Sequence, residues 1–323
     1  MSLWKLRLSM FGTLAFIIGI STLFMAALLA YMGTFNIYAL ALIVAAFNVL
    51  QWLFAPKIVN AMYRVKPATR ENYPWLYDTV ERLSERSGLR IPKIMIANVP
   101  IPNAFAYGSP IYGNHVAVTQ GLFNVLDKEE IEAVLGHELG HLRHRDVQVM
   151  MLASFLPAIF YFIGRWAMFS AYFGGARRER GGATVLIGLA SMAVYFVLLL
   201  FILNLSRLRE YYADSHSASI VDEGSRKLSE GLAKIVSASG RMRLSRRQET
   251  PSLNAFKTLF ISDPDSSAVD AREIAAHSLA TSDRALVRKL LKRKPTFGDR
   301  LIELFSTHPN ITKRLMALQK LGA

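Results

Sequence analysis

An uncharged segment of 49 residues near the N-terminus constrains this chain more than any other feature, because no Asp, Glu, Lys or Arg occurs from Leu8 to Pro56. A transmembrane helix needs about 20 mostly apolar residues. The segment holds two such runs, roughly Leu8–Tyr31 and Ile37–Pro56. A cleaved signal peptide is the alternative, but the first run is too long for one and a second follows at once. Residues 1–56 are therefore predicted to form a transmembrane hairpin.

Two further apolar blocks, Val147–Ala171 and Ala183–Leu205, are each long enough to span a bilayer. Charged residues make up only 19% of the chain, against about 25% in soluble domains. This favours a second transmembrane pair in residues 147–205 over a buried helical pair. Basic residues flank the blocks on one side, which the positive-inside rule makes cytoplasmic, although three arginines in the loop 172–182 depart from it. We expect a multi-pass protein of the cell (plasma) membrane with cytoplasmic polar regions.

The two polar regions, residues 57–146 and 206–323, carry patterns of both helix and strand. Asp127 is a good N-cap for a helix that begins at Lys128, with acidic residues in its first turn. The sequence therefore predicts a mainly α-helical membrane protein with a small β-sheet. The other elements predicted in these regions are helices around Asn72–Ser87, Arg209–Val221 and Ser225–Ala238 and strands around Lys93–Ala97 and His115–Thr119.

The motif most informative about chemistry is HELGH, residues 137–141. Residues four apart lie on one face of a helix, so His137 and His141 can present two imidazole nitrogens to one Zn²⁺ ion. Glu138 then lies beside the metal, where a carboxylate can take a proton from water and pass it to a leaving amine. The chain has no cysteine, which excludes Cys-ligated zinc. The alternative is a pair of structural histidines.

A third ligand must come from elsewhere in the chain. The three-histidine metzincin pattern is excluded, because His144 and Val147 occupy the positions of its glycine and its third histidine. The best candidate is Glu210, about one turn past the last apolar block, since two membrane crossings would return it to the side of the HELGH motif. The alternative is a solvated helix face on which Glu210 and its neighbours pair with Arg207 and Arg209.

Two other carboxylates are expected to orient ligands. Asp214 lies one helical turn beyond Glu210 and can accept the outer N–H of a zinc histidine, which fixes the tautomer of that ring. Asp146 is expected to close the HELGH helix and to orient neighbours. His144 is expected behind the ligands or at the surface. The histidines expected to be structural or exposed are His115, His216 and His277.

These motifs together resemble the HtpX-type membrane zinc metalloproteases, of the superfamily that includes the CAAX prenyl endopeptidases. The resemblance runs along the whole chain. It implies a zincin-like (gluzincin) catalytic domain built from residues 57–146 and 206–323, one Zn²⁺ per chain held by His137, His141 and Glu210, and Glu138 as general base. The segments that carry the resemblance, besides HELGH, are Arg207–Asp214, Pro102–Gly108, Val116–Leu122 and Thr307–Asn310 with Arg314 and Leu315.

The resemblance also implies that Asn103 and His308 border the active site. His308 could donate to the oxyanion of the tetrahedral intermediate, or it could simply precede a helix start at Pro309. Asn103 could hold His308 or a substrate carbonyl. The strand around His115–Thr119 is expected to offer an open edge to which an extended peptide adds. The residues expected to contact substrate are Asn103, Ala104, Phe105, Val116 and Val118.

The stretch 239–294 is rich in basic residues and matches no motif. It is either a solvated insert or a surface for anionic lipid headgroups, to which each basic residue contributes about 1 kcal/mol. Nucleic acid is not expected as a partner, because the basic runs lack interleaved aromatic residues. The sequence does not indicate an oligomeric state.

The leading functional prediction is a membrane-anchored zinc endopeptidase with polypeptide substrates. By resemblance, these are misfolded or damaged membrane proteins cleaved at the cytoplasmic face, as in quality control under stress. A CAAX-type prenyl endopeptidase is one alternative, which four apolar blocks disfavour. The other is a non-catalytic scaffold with a closed structural zinc site, for which His144 is the first candidate as fourth ligand.

Overall fold

The computed structural model describes residues 37–173, 178–245, 282–293 and 296–322. The predicted first span, the turn that follows it, His277 and most of the basic stretch 239–294 lie outside the described residues. The described residues form two compact units. One takes the described parts of Met1–Trp52 and Val149–Ile202, and the other takes those of Leu53–Gln148 and Leu203–Ala323.

Three helices of the described chain are long and apolar enough to cross a membrane: α1 (Ile37–Met62), α5 (Asp146–Phe173) and α6 (Arg178–Ile220). They correspond to the second, third and fourth predicted spans. The helix expected separately at Arg209 is instead the end of α6. The sequence has no Gly or Pro after Gly188 and before the end of α6, so nothing in it breaks the helix.

A four-stranded mixed sheet forms in the second unit, in the order β1-β2-β4-β3. The strand β4 pairs in parallel with β2 and antiparallel with β3. Because β4 is paired on both sides, the open edge predicted at His115–Thr119 is wrong, and the edge beside it belongs to β3. In β4 the consecutive residues Val116–Val118 are all fully buried, which is typical of an inner strand that is covered on both faces. The strands are β1 (Val65–Pro67), β2 (Lys93–Ala97), β3 (Ala104–Ser109) and β4 (Gly113–Thr119).

Helices cover one face of this sheet and build the main core with it. Alternate strand residues such as Ile96 and Val118 point into this core, whereas Met95 and Phe105 point to a smaller cluster on the other face. The main core takes side chains from seven of the described helices, among them Leu135 of the HELGH helix. The helices of the unit other than α1, α5 and α6 are α2 (Pro74–Arg86), α3 (Gln120–Phe123), α4 (Lys128–Arg143), α7 (Gly224–Ser245), α8 (Asp283–Lys292), α9 (Phe297–Leu304) and α10 (Ile311–Leu321).

The HELGH helix α4 packs closely against the end of α6. A Cβ added at Gly140 would lie 3.0 Å from Ala213 Cα, and one added at Gly136 would lie 3.0 Å from Ser217 Oγ. The Ser217 hydroxyl also donates a hydrogen bond of 2.6 Å to the Ala133 carbonyl. The two glycines therefore let the backbones approach and bring the motif face of α4 up to α6.

Replacing Gly140 with valine tests this close approach. The added side chain would meet backbone rather than a flexible side chain, so we expect overpacking to lower the free energy of unfolding by about 1–3 kcal/mol. Gly231→Ala in α7 is the matched control, because its Cβ would meet no atom closer than 3.5 Å. Denaturant unfolding of the detergent-solubilised protein measures both. Equal stability of Gly140→Val and the wild type would contradict the packing.

Candidate active site

The HELGH helix begins after Asp127, which forms a capping box with Glu130. The Asp127 backbone N–H donates to Glu130 Oε2 at 2.9 Å, in a capping box that confirms the predicted helix start. Lys234 lies 2.8 Å from the other Glu130 oxygen. The helix ends at Arg143, and Arg145 turns the chain with a φ of 55°. Asp146 therefore begins α5, and the prediction that it closes the HELGH helix is wrong.

Three nitrogen and oxygen donors converge beside α4. His137 Nε2 and His141 Nε2 lie 3.1 Å apart. Glu210 of α6 places one carboxylate oxygen 3.5 Å from His141 Nε2 and the other 3.7 Å from His137 Nε2. Ligands bound at 2.0–2.1 Å to one tetrahedral zinc ion would lie about 3.3 Å from each other. The spacing and the chemistry of these donors therefore fit a zinc ion.

The outer nitrogens of both histidines face carboxylates. His137 Nδ1 lies 2.9 Å from Asp214 Oδ1, and His141 Nδ1 lies 2.7 Å from Asp146 Oδ2. Arg209 in turn pairs with Asp146. These contacts hold the two imidazole rings so that both Nε2 atoms point to the shared centre. Burial lowers the pKa of His137, which favours the neutral imidazole that a metal ligand requires.

Glu138 lies on the same helix and is buried against the edge strand β3. The Ala106 backbone N–H donates a hydrogen bond of 2.7 Å to Glu138 Oε2. Burial raises the pKa of Glu138 to about 7, and nearby Glu210 acts in the same direction. A carboxyl group with a pKa near neutrality can both accept and release a proton at physiological pH.

Arg314 of α10 is a site residue to which sequence reasoning assigned no role. It is buried, with Nε 2.9 Å from Asp214 Oδ2 and Nη2 2.5 Å from Asp214 Oδ1. Its Nη1 lies 3.1 Å from Glu210 Oε2. Burial alone would lower the pKa of Arg314, but the two carboxylates outweigh it and hold the pKa above its ordinary value. One signal was present, because Arg314 lies on the apolar stripe of α10 between Ile311 and Leu318.

The alternative in which Glu210 and its neighbours form a solvated face paired with Arg207 and Arg209 is wrong. Glu210 and Asp214 are buried, and their cationic partner is Arg314. Arg207 instead donates to backbone carbonyls at the end of α9, and Arg209 donates to Asp146 and to a backbone carbonyl.

Of the two residues expected to border the site, His308 lies beside the donors. Its Nε2 is 3.8 Å from Glu210 Oε1. Asn103 is buried, and its backbone N–H donates to Thr119 Oγ1 at 2.9 Å. The remaining predicted substrate contacts have side chains buried in the cores on the two faces of the sheet: Ala104, Phe105, Val116 and Val118. The backbone of β3, through Ala106, is the part of the sheet that contacts Glu138.

His144 lies outside the converging donors. It follows α4 as the C-cap residue, and its ring centroid is 6.0 Å from Tyr212 and 5.7 Å from His216. His216 is half-buried, with Nε2 3.0 Å from Ser87 Oγ. His115 is buried and stacks on Tyr107. Within the described residues, the group that could hold a metal ion at the motif consists of His137, Glu138 and His141, and it contains none of these three histidines.

Together with the membrane-capable helices, this site places the protein among the membrane metallopeptidases. The chain belongs to peptidase family M48, whose sequence pattern matches residues 70–322. The family implies zinc as the metal. The resemblance to HtpX-type proteases is thereby confirmed.

The chain matches protease HtpX homologs over nearly the whole length of both chains. The chain is 38% identical over 336 residues to a protease HtpX homolog of Thermoplasma acidophilum, with 99% of both chains covered. It is 39% identical over 322 residues to one of Aeropyrum pernix, covering 98% of this chain and 96% of the relative. The crystal structure of S. mikatae Ste24p matches with a TM-score of 0.55 and 17% identity, over 98% of this chain and 66% of that one. That likeness shows the fold alone.

Replacing Arg314 with methionine should leave two buried carboxylates without their cation. We expect a loss of about 3–5 kcal/mol in the free energy of unfolding. Arg82→Met is the matched control, because Arg82 pairs with Glu132 at 2.7 Å with 48% of its side chain exposed, and such a pair contributes at most about 1 kcal/mol.

A second variant separates charge compensation from packing. Adding Asp214→Leu to Arg314→Met removes one of the two uncompensated charges, so the double variant should recover part of the lost stability. A double variant that loses the sum of the two single losses would show that Arg314 acts through packing alone.

Proposed function

We propose that the protein is a zinc-dependent endopeptidase in which His137, His141 and Glu210 hold one Zn²⁺ ion. The observation that carries the proposal is the convergence of these three side chains at 3.1–3.7 Å, each supported by a buried or partly buried carboxylate or guanidinium group. Bound zinc would supply Lewis acidity toward a peptide carbonyl and a water molecule.

The chain's own residues account for the proton transfers. Glu138 takes a proton from the attacking water and later gives it to the leaving amine, roles that suit a carboxyl group whose pKa lies near 7. His308 has its Nε2 beside Glu210, from where it donates to the oxyanion that develops on the carbonyl oxygen.

The edge strand β3 binds the substrate backbone in this proposal. The Asn103 carbonyl accepts from Thr119 on β4, so the N–H of Ala106, three residues on, points away from β4 and reaches Glu138 instead. An extended peptide added along this edge would pair with backbone groups and depend little on its own side chains. That mode suits a protease that acts on many unfolded sequences.

In this proposal the substrates of the protease are misfolded or damaged membrane proteins, cleaved at the cytoplasmic face in protein quality control. The membrane-capable helices keep the enzyme in the bilayer with such substrates, and the basic residues at the ends of the apolar blocks support the cytoplasmic orientation. The relatives are named protease HtpX homologs, which favours an HtpX-type protease over a CAAX-type prenyl endopeptidase.

Glu138→Gln should abolish cleavage of an unfolded casein-like substrate by detergent-solubilised protein. Loss of the base is expected to cost at least about 100-fold in rate, while zinc content stays at one ion per chain. Glu129→Gln, on the exposed first turn of the same helix, should keep full activity. Chelation should stop the wild type and added Zn²⁺ should restore it; a Glu138→Gln enzyme with wild-type activity would sink the assignment.

His308→Ala distinguishes an open catalytic site from a closed structural one. We expect the rate to fall by about 10²–10³ with bound zinc unchanged, because an oxyanion donor is lost but no ligand. His144→Ala is the control and should leave both quantities unchanged. Loss of zinc from His308→Ala would identify a fourth protein ligand and favour the scaffold alternative.

The cytoplasmic orientation can be tested with the cysteine-free chain. Glu85 of α2 is exposed, so Glu85→Cys provides one reactive thiol for a membrane-impermeant maleimide. In intact cells we expect no labelling until the membrane is opened. Labelling from outside intact cells would reverse the proposed orientation.

A further inference from the structure

The short helix α9 presents an apolar face that stays largely exposed in the described part of the chain. Phe297, Leu301 and Leu304 lie on one side of it, at four- and three-residue spacing, and are 76%, 46% and 40% exposed. We call these three residues the α9 face. None of the helix residues is buried. A helix of eight residues is not stable in water by itself, so packing of this face against a partner would stabilise it.

The C-terminal end of α9 is held close to where the last apolar block ends. Arg207 donates to the carbonyls of Glu303 and Ser306, at 2.7 and 2.9 Å. Arg207 lies on α6 only two residues beyond Leu205, the last residue of the apolar block. At 1.5 Å per residue, this is about 3 Å along the helix axis. The end of α9 is therefore tied to the point at which α6 passes from apolar to charged sequence.

Exposed basic side chains lie close to the α9 face in the sequence, and the two acidic residues of α9 are paired, Asp299 with Arg293 and Glu303 with Lys313. The adjoining helix α8 exposes Arg288 and Lys292, and Arg300 is exposed on α9 itself. An ion pair of 3.1 Å between Arg293 and Asp299 links the two helices. An apolar face flanked by cations is the pattern of a helix that lies in a membrane interface, with its apolar side in the headgroup and acyl boundary and its cations among anionic headgroups.

We propose that α9 lies in the interface of the membrane that the chain spans, with the α9 face toward the acyl chains. The occupant of the face is thus the lipid bilayer. Contact between α9 and lipid would also affect the active site, because the chain leaves α9 at Leu304 and reaches His308 four residues later. Lipid contact would hold the segment that brings His308 Nε2 to 3.8 Å from Glu210.

Single-cysteine spin labelling of the full chain tests the proposal, since the natural sequence has no cysteine. Phe297→Cys, Leu301→Cys and Leu304→Cys would be labelled with a nitroxide and reconstituted in vesicles of phosphatidylcholine and phosphatidylglycerol. Glu85→Cys is the aqueous control. We expect labels on the α9 face to be several-fold more accessible to oxygen, relative to a water-soluble nickel chelate, than the control label.

Three results would overturn the proposal. Accessibilities equal to the control at all three positions would place the face in water. Immobilised labels with spin–spin coupling between copies would assign the face to a second chain, and immobilised labels without coupling would assign it to another segment of the same chain. The readout does not depend on zinc or activity, so it fails independently of the proposed protease function.

The unmodified protein provides a second measurement in case the labelled variants fold poorly. A phospholipid with a photoreactive group at the start of its acyl chain, incorporated in the same vesicles, should modify the peptide that contains Phe297–Leu304. Modification confined to the apolar blocks, with none on that peptide, would refute the interfacial position.

Discussion

The buried pairing of Arg314 with Asp214 and Glu210 is the interaction on which the rest of the site depends. Two carboxylates next to two imidazoles in a buried pocket would repel each other and lose hydration, at a cost of several kcal/mol per ion. The guanidinium from α10 compensates both carboxylates at 2.5–3.1 Å. It therefore pairs with Glu210, the candidate ligand, and with Asp214, which contacts His137, and it fixes the C-terminal helix to the centre of the unit.

Helix packing then sets how closely the donors approach. Gly136 and Gly140 face Ser217 and Ala213 across α4 and α6, so no side chain separates the two backbones at the height of the motif. The histidines and Glu210 project from these two helices toward one point. Residues 136–141 thus combine two functions, because the two histidines supply donors while the two glycines supply the contact that brings the third donor within reach.

The features predictable from sequence were those encoded locally. Helical periodicity, the Asp127 cap and the HELGH spacing each depend on residues a few positions apart. The helices α2, α4 and α7 were found where they were expected. Features that depend on distant pairing were missed. Because β4 lies between β2 and β3, the open edge is at β3 and not at His115–Thr119, where it was expected. Nothing near Arg314 in the sequence identifies Asp214, 100 residues earlier, as its partner. The position of Arg314 on the apolar stripe of α10 indicates that its charge is buried, but it does not indicate which carboxylates surround it.

The hydrogen bond from the Ala106 N–H to Glu138 has one further consequence. A backbone amide has a single proton, so it cannot donate fully to Glu138 and to the carbonyl of an added peptide at the same time. A peptide that occupied this position of the β3 edge would compete with the carboxylate for the donor. Peptide binding would then be thermodynamically linked to release of this hydrogen bond. The Glu138 carboxylate would be held by Ala106 in the absence of peptide and released when a substrate peptide binds.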